Sequence, residues 1–144
     1  MHLALEEARK AAQRGEVPVG AVIVDPASAE VLAASGNRVE EFNDPTAHAE
    51  VLAIRAAAAA RGSLRLAGCD LYVTLEPCAM CATAMSFARI GRVYFGAYDP
   101  KGGGVEHGPR VFSRSTCHHR PEVYGGIAED EAAQLLRTFF RKRR

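Results

Sequence analysis

Apolar residues recur at helical spacing from the first turn. Met1, Ala4, Leu5, Ala8, Ala11 and Ala12 fall on one face, so residues 2–14 are predicted to form an amphipathic helix that Gly15 stops. The pattern then changes. Val17 to Val24 is apolar and β-branched and ends at Asp25-Pro26, the signature of a strand, and Val31 to Ser35 reads as its hairpin partner across a turn at 25–30. Gly36 and Asn37 close that strand, and Arg38 to Asn43 reads as a polar connection. Asp44-Pro45-Thr46 predicts a helix start, with Asp44 or Thr46 as cap and Pro45 in the first turn. That helix runs through His48 and an alanine-rich stretch to Arg61, with Gly62 as its C-terminal cap. The five alanines at 56–60 fit a helix packed closely on a sheet.

Cys69 to Thr74 reads as a buried strand, and Glu76-Pro77 as the start of a helix continuing to about Arg89. Gly91 to Ala97 contains another strand, and residues 98–121 are loop-like and rich in Gly and Pro. Glu122 to Ile127 is a fifth short strand, and Ala128, Ala132, Leu135, Leu136 and Phe139 mark a C-terminal helix. Strands alternating with helices argue for a layered α/β domain. No linker divides the 144 residues, a length that suits one core and one domain, 1–144.

Composition narrows the class. The apolar fraction of 48% and charged fraction of 24% are those of an ordinary globular chain. No apolar run approaches the ~20 residues that span a bilayer, and the acidic, amphipathic N-terminus is not a secretory signal, so a cytoplasmic protein is expected. A net charge of +1 excludes a uniformly basic nucleic-acid binder, but residues 137–144 carry five positive charges and no negative one. A basic helix end complements the helix dipole, and it can also contact phosphate.

The four cysteines do not read as disulfides, because two sit at C-x-x-C spacing after a strand. Thioredoxin-like redox chemistry would leave His48 and Glu50 without a role. His48, Cys78 and Cys81 instead supply three zinc ligands, and a three-ligand zinc keeps an open position for water. Cys78 and Cys81 share a helix face near an N-terminus, where the dipole favours thiolates. Glu50 is left to handle protons. Its spacing of two from His48 does not by itself point both side chains the same way on a regular helix.

The order H-x-E … P-C-x-x-C is the signature of zinc-dependent nucleobase deaminases. Zinc lowers the pKa of bound water to ~7, the hydroxide attacks the ring carbon bearing the amine, and a carboxylate such as Glu50 moves the protons. A purely structural zinc module would need a fourth ligand, and none stands nearby in the sequence.

The stretches Glu16–Val22, Asp44–Glu50, Leu71–Cys78, Arg89–Val93 and Phe139–Arg143 resemble the bacterial tRNA-specific adenosine deaminases over nearly the whole chain. The resemblance implies a cytidine-deaminase-like three-layer α/β/α sandwich around a five-stranded mixed sheet. It implies one zinc ion per subunit and a homodimer with active sites close to the interface. The implied reaction is adenosine to inosine at the wobble position of an arginine tRNA anticodon. His48, Cys78 and Cys81 match the family's ligands and Glu50 its proton shuttle. Asn37 matches a residue that contacts the flipped base, with Ala49 of the H-x-E stretch beside it. Asp99 and Lys101 follow the fourth strand, where the family meets the anticodon loop, and Asp99 can accept from a ribose 2′-OH. The terminal Phe139-Phe140 and basic residues such as Arg141 would hold the stem-loop. The nearest rival is a deaminase of a free base or nucleoside, which has no phosphate backbone to hold.

The loop Asp99 to Gly108 departs from the commoner family pattern. It reads either as a flexible surface loop or as a backbone cradle for phosphate. Cys117-His118-His119 does not read as a second metal site, since adjacent residues chelate one ion poorly. His107, Cys69 and Cys117 are read as non-ligands.

Overall fold

The computed structural model describes residues 1–144. Five helices, α1 His2–Gln13, α2 Val39–Phe42, α3 Ala49–Arg61, α4 Ala79–Phe87 and α5 Glu129–Lys142, accompany five strands, β1 Gly20–Asp25, β2 Glu30–Gly36, β3 Asp70–Leu75, β4 Arg92–Ala97 and β5 Glu122–Tyr124. The strands form one sheet in the order β2-β1-β3-β4-β5. β1 runs antiparallel to both neighbours, while β3-β4 and β4-β5 are parallel. Four strands therefore share one direction, and the C-terminal ends of β2, β3 and β4 lie along one edge of the sheet. Ligands of open α/β sheets bind at that edge.

Alternation along the strands sends side chains to two different layers. Leu71, Val73, Val93 and Phe95 join Ala49, Ala53, Ala57, Cys81, Ala82 and Met85 in a cluster of 20 buried residues between the sheet and the α3–α4 layer. The opposite face, under α1 and α5, holds a smaller cluster of Leu5, Ala97 and Ala132. The result is the α/β/α sandwich with a five-stranded mixed sheet. On the second face Tyr72, Tyr94 and Tyr124 stack in register across three strands, with centroid separations of 4.6 and 5.0 Å.

Several local expectations change. The first strand begins at Gly20, not Val17, because Pro18 offers no N–H and the Val19 N–H turns back to Val17 O at 2.8 Å. The 38–43 connection contains the one-turn helix α2, closed by Asn43 at φ 49°. The fifth strand stops at Tyr124, because Gly125 lies flat against the Phe95 ring: a Cβ there would come within 2.5 Å of it. In the alanine run, close packing accounts for the fully buried Ala57, whereas Ala56, Ala59 and Ala60 are exposed and serve as helix formers. Gly62 caps α3 as expected, at φ 64°.

The α3 helix also starts later than the Asp44-Pro45-Thr46 pattern predicts. Asp44 Oδ1 accepts from Thr46 N and Thr46 Oγ1 at 2.8 and 2.7 Å, closing a side-chain turn instead of capping a helix. The chain extends through Ala47, and His48 is the N-cap, at φ −71° and ψ 149°.

Candidate active site

Two helices begin at the same place. His48 is the N-cap of α3, and Cys78, also extended at φ −70° and ψ 172°, is the N-cap of α4. Both helices leave unpaired N–H groups and the positive end of their dipoles at the site, which favours thiolate. The N-terminus of α3 is completed from a distance: Asn37, just past β2, accepts the Ala49 N–H on Oδ1 at 2.8 Å. That bond settles the orientation of the Asn37 amide. Its Nδ2 is left to donate into the cavity that Asn37 lines.

A tetrahedral zinc with Zn–S near 2.3 Å and Zn–N near 2.05 Å separates its nitrogen and sulfur ligands by about 3.6 Å. His48 Nδ1 lies 3.5 Å from Cys81 Sγ and 3.7 Å from Cys78 Sγ, and the three ligand atoms are all within 4.8 Å of one another. The residues fit the ion, and the donor chemistry agrees. Cys78 shares a hydrogen bond with Cys81, and with a second from His48 acting against burial its thiol comes down to about 4. The shared bond with Cys78, together with burial, holds the Cys81 thiol up. A divalent cation is the partner that lets both sulfurs ionise together. The chain's three donors leave a fourth position for water. Zinc is its cofactor.

Glu50 sits in the first turn of α3 and is 4% exposed. The spacing objection disappears because His48 lies outside the helix, so the two side chains do not obey helical geometry. His48, Glu50, Cys78, Asn37 and Asp99 line one cavity of about 390 Å³. Burial pushes the Glu50 carboxyl up to about 7, where a carboxyl both takes and returns a proton near neutrality.

The remaining candidate residues divide. Cys81 is buried behind the cavity wall, and Ala49 is fully buried with its N–H committed to Asn37. Asp99 Oδ1 accepts from Lys101 N and Gly102 N at 3.1 and 2.9 Å, folding the residue into a tight turn. Val17, Leu75, Asp99 and Gly102 line both the cavity and a hollow of about 520 Å³ beside it, which also reaches Lys101, Leu136 and Phe140. Beyond lies a basic hollow of about 730 Å³ lined by Lys101, Arg137, Phe140, Arg141, Arg143 and Arg144. A continuous track thus leaves the Glu50 cavity along α5. Phe139 faces away from it, into a hollow shared with Ala12 and Leu135, and carries Arg143 over its ring at 4.4 Å. Arg143 donates to Gly15 O and reaches the rim of the cavity.

Sequence reasoning misses Glu76. Its side chain is completely enclosed at the end of β3, two residues before Cys78. Oε1 accepts the consecutive N–H groups of Val105, Glu106 and His107 at 3.3, 2.8 and 3.0 Å. Oε2 accepts from Asp99 N at 2.9 Å and lies 2.8 Å from His107 Nδ1, which donates to it. Burial alone would raise the Glu76 carboxyl, but the Asp99 N–H, the His107 ring and the Glu106 and His107 N–H groups hold it below the ordinary carboxylate range. The glycine-rich loop therefore is an anion cradle, and the protein's own carboxylate fills it. One signal in the sequence is an acidic residue at a strand's C-terminal end beside Pro77.

The comparisons with known proteins agree with this geometry. Residues 1–97 match the zinc-binding region of cytidine and deoxycytidylate deaminases. All 144 residues align at 62% identity with a tRNA-specific adenosine deaminase of Agrobacterium fabrum, covering 93% of that protein. A second tRNA-specific adenosine deaminase, of Rickettsia typhi, is 46% identical over 144 residues and 97% of its own length. A solved structure from work on A-to-I editing by tRNA:A34 deaminases superposes with a TM-score of 0.91 at 62% identity, over 94% of this chain and 97% of that one. With a three-donor zinc site, an enclosed Glu50 and similarity along its full length, the chain belongs to the zinc-dependent deaminases, in the family of the tRNA-specific adenosine deaminases.

Proposed function

We propose that the protein converts adenosine to inosine at the wobble position of a tRNA anticodon, with an arginine tRNA as its substrate, in the cytoplasm. The observation that carries this reading is the track from the Glu50 cavity to the basic end of α5. A free base needs only the cavity, whereas a phosphate backbone needs cations outside it.

His48, Cys78 and Cys81 would hold the zinc ion, which when bound would make a water nucleophilic at neutral pH. The chain's own residues do the rest. Asn37 Nδ2 donates to an acceptor on the inserted base and fixes its orientation. Glu50 takes a proton from the attacking water on its carboxylate and delivers it to the ring nitrogen. It then takes the remaining proton of the hydroxyl added to the ring carbon and gives it to the departing amine, which leaves as ammonia. The enclosed position of Glu50 keeps bulk water from competing for that proton. Asp99, on the cavity wall, offers a carboxylate oxygen to a ribose 2′-OH, which favours RNA over DNA. Lys101, Arg141 and the neighbouring arginines meet the backbone, with Phe140 among them as a stacking surface.

The functional unit is a homodimer. Exposed Met80 and Phe87 lie on one face of α4 at i, i+7 spacing, beside a hollow of about 360 Å³ lined by Thr83, Ser86, Val111 and Cys117. An aromatic knob and a hollow on one surface suit a self-complementary two-fold contact.

The test is incubation of the zinc-loaded protein with a synthetic anticodon stem-loop and, separately, with free nucleosides and bases. Inosine at the wobble position is the expected product. Ammonia released from free nucleosides or bases alone would sink the tRNA assignment.

A further inference from the structure

The Glu76 network lies outside the reacting centre, yet it connects both walls of the cavity. Glu76 follows β3, and Cys78 is two residues on. Every one of the five hydrogen bonds to the Glu76 carboxylate comes from the segment 99–107. That segment carries Asp99 and Lys101, the side chains assigned above to the RNA. The packing admits no slack: a Cβ at Gly103 would come within 2.5 Å of Glu76 Oε1, and one at Gly104 within 2.5 Å of Ala79 N at the start of α4. Gly104 N also donates to Pro77 O at 2.8 Å.

His107 is the outer member of the network. Its ring donates to Glu76 Oε2 and stands edge-on to Tyr98, with centroids 6.2 Å apart. It is 35% exposed at the side chain, whereas Glu76 is enclosed. The same oxygen receives the Asp99 N–H. His107 and Asp99 thus share one acceptor atom, and the position of Asp99 is set from both sides of it.

We propose that Glu76 and His107 are positioning residues for substrate binding: the buried carboxylate, locked by the imidazole, holds Asp99 at a fixed height above the zinc-binding helix. The inference rests on the reading that Asp99 and Lys101 contact the RNA. His107 touches no reacting atom and acts through Asp99. Losing its bond lets the 99–107 segment drift while the ligands stay in place, so substrate affinity falls and turnover at saturation does not.

The test is a double-mutant cycle on the zinc-loaded protein, with KM and kcat measured on the anticodon stem-loop and zinc content and thermal unfolding recorded for each variant. His107→Ala is expected to raise KM about tenfold, the scale of one hydrogen bond to a charged group, with kcat and zinc content unchanged. His107→Asn, whose side-chain nitrogen takes the place of Nδ1, is expected to restore KM to within about twofold. In an Asp99→Ala background, His107→Ala is expected to add less than about twofold. An unchanged KM in His107→Ala beside a raised KM in Asp99→Ala overturns the inference and leaves the RNA-contact reading intact. So does a full His107→Ala effect in the Asp99→Ala background, or a loss of zinc and kcat without a change in KM. If neither Asp99→Ala nor Lys101→Ala changes KM, the RNA-contact reading fails, and this inference fails with it.

Discussion

The cavity has two walls built on opposite principles. The zinc wall is short-range and enclosed: two helix N-termini, with His48 and Cys78 as their N-caps, meet over a fully buried Cys81 and an enclosed Glu50. The substrate wall is long-range and open: a loop pinned to Glu76 and the basic end of α5 form a track of exposed cations. Chemistry needs fixed distances of a few ångströms, so its wall is made from elements that cannot move independently. Recognition of a phosphate backbone needs charge over a wide surface, so its wall tolerates side chains in solvent. Changes on the first wall should therefore move kcat, and changes on the second should move KM.

The largest expected effect tests the first half of that division. Glu50→Gln keeps the size and burial of the side chain but cannot carry a proton between oxygen and nitrogen. Its kcat should fall by roughly 10²–10⁴-fold, the range for a general acid–base group, with zinc content and KM for the stem-loop nearly unchanged. Loss of zinc in that variant would mean that Glu50 supports the ligand shell and would dissolve the distinction between ligand and shuttle. Full turnover would remove Glu50 from the mechanism.

A smaller effect tests the second half. Arg141 and Arg144 line the outer hollow, at the far end of the track from Glu50. Replacing both by alanine should weaken stem-loop binding a few-fold and leave kcat alone. The more diagnostic readout is the salt dependence of binding, whose log–log slope should flatten by about one for each phosphate that is no longer neutralised. An unchanged slope would show that these cations only complement the dipole of α5, whose first turn carries Glu129, Asp130 and Glu131.

The two walls also differ in how far the sequence reveals them. Residue type and order expose the zinc wall, because few side chains bind zinc and their spacing is constrained by the helix that carries them. Even there the sequence pattern misplaces a helix start. Asp44, Pro45 and Thr46 have the composition of a cap, but the acceptor that starts α3 is Asn37, twelve positions before Ala49 and brought in by β2. The substrate wall depends on backbone donors, which every residue but proline possesses and which leave no mark in composition. Besides the acidic residue beside Pro77, Gly103 and Gly104 betray the close packing around Glu76, and without a partner in view they read equally well as a flexible loop. Which of Phe139 and Phe140 faces the track is likewise a matter of helix phase against α1, not of residue type.

The smallest expected effect returns to that misplaced start. The Asp44 turn delivers the chain to His48, so it belongs to the zinc wall while lying at the surface. The Thr46 hydroxyl, and after it the Thr46 N–H, hold the Asp44 carboxyl below its ordinary value. A carboxylate with a depressed folded-state pKa stabilises the protein above the unfolded value and loses that contribution as pH falls through the folded one. The window therefore lies below about pH 4. Asp44→Asn keeps an acceptor oxygen but no charge. Its melting temperature should sit slightly below that of the parent at neutral pH, and the two should converge as the pH drops toward about 3. Zinc content should not change, since the ligands are held by the Asn37–Ala49 bond and by α4. A gap in melting temperature that persists undiminished in acid would show that the Asp44 charge contributes nothing and that the turn is held by its shape alone.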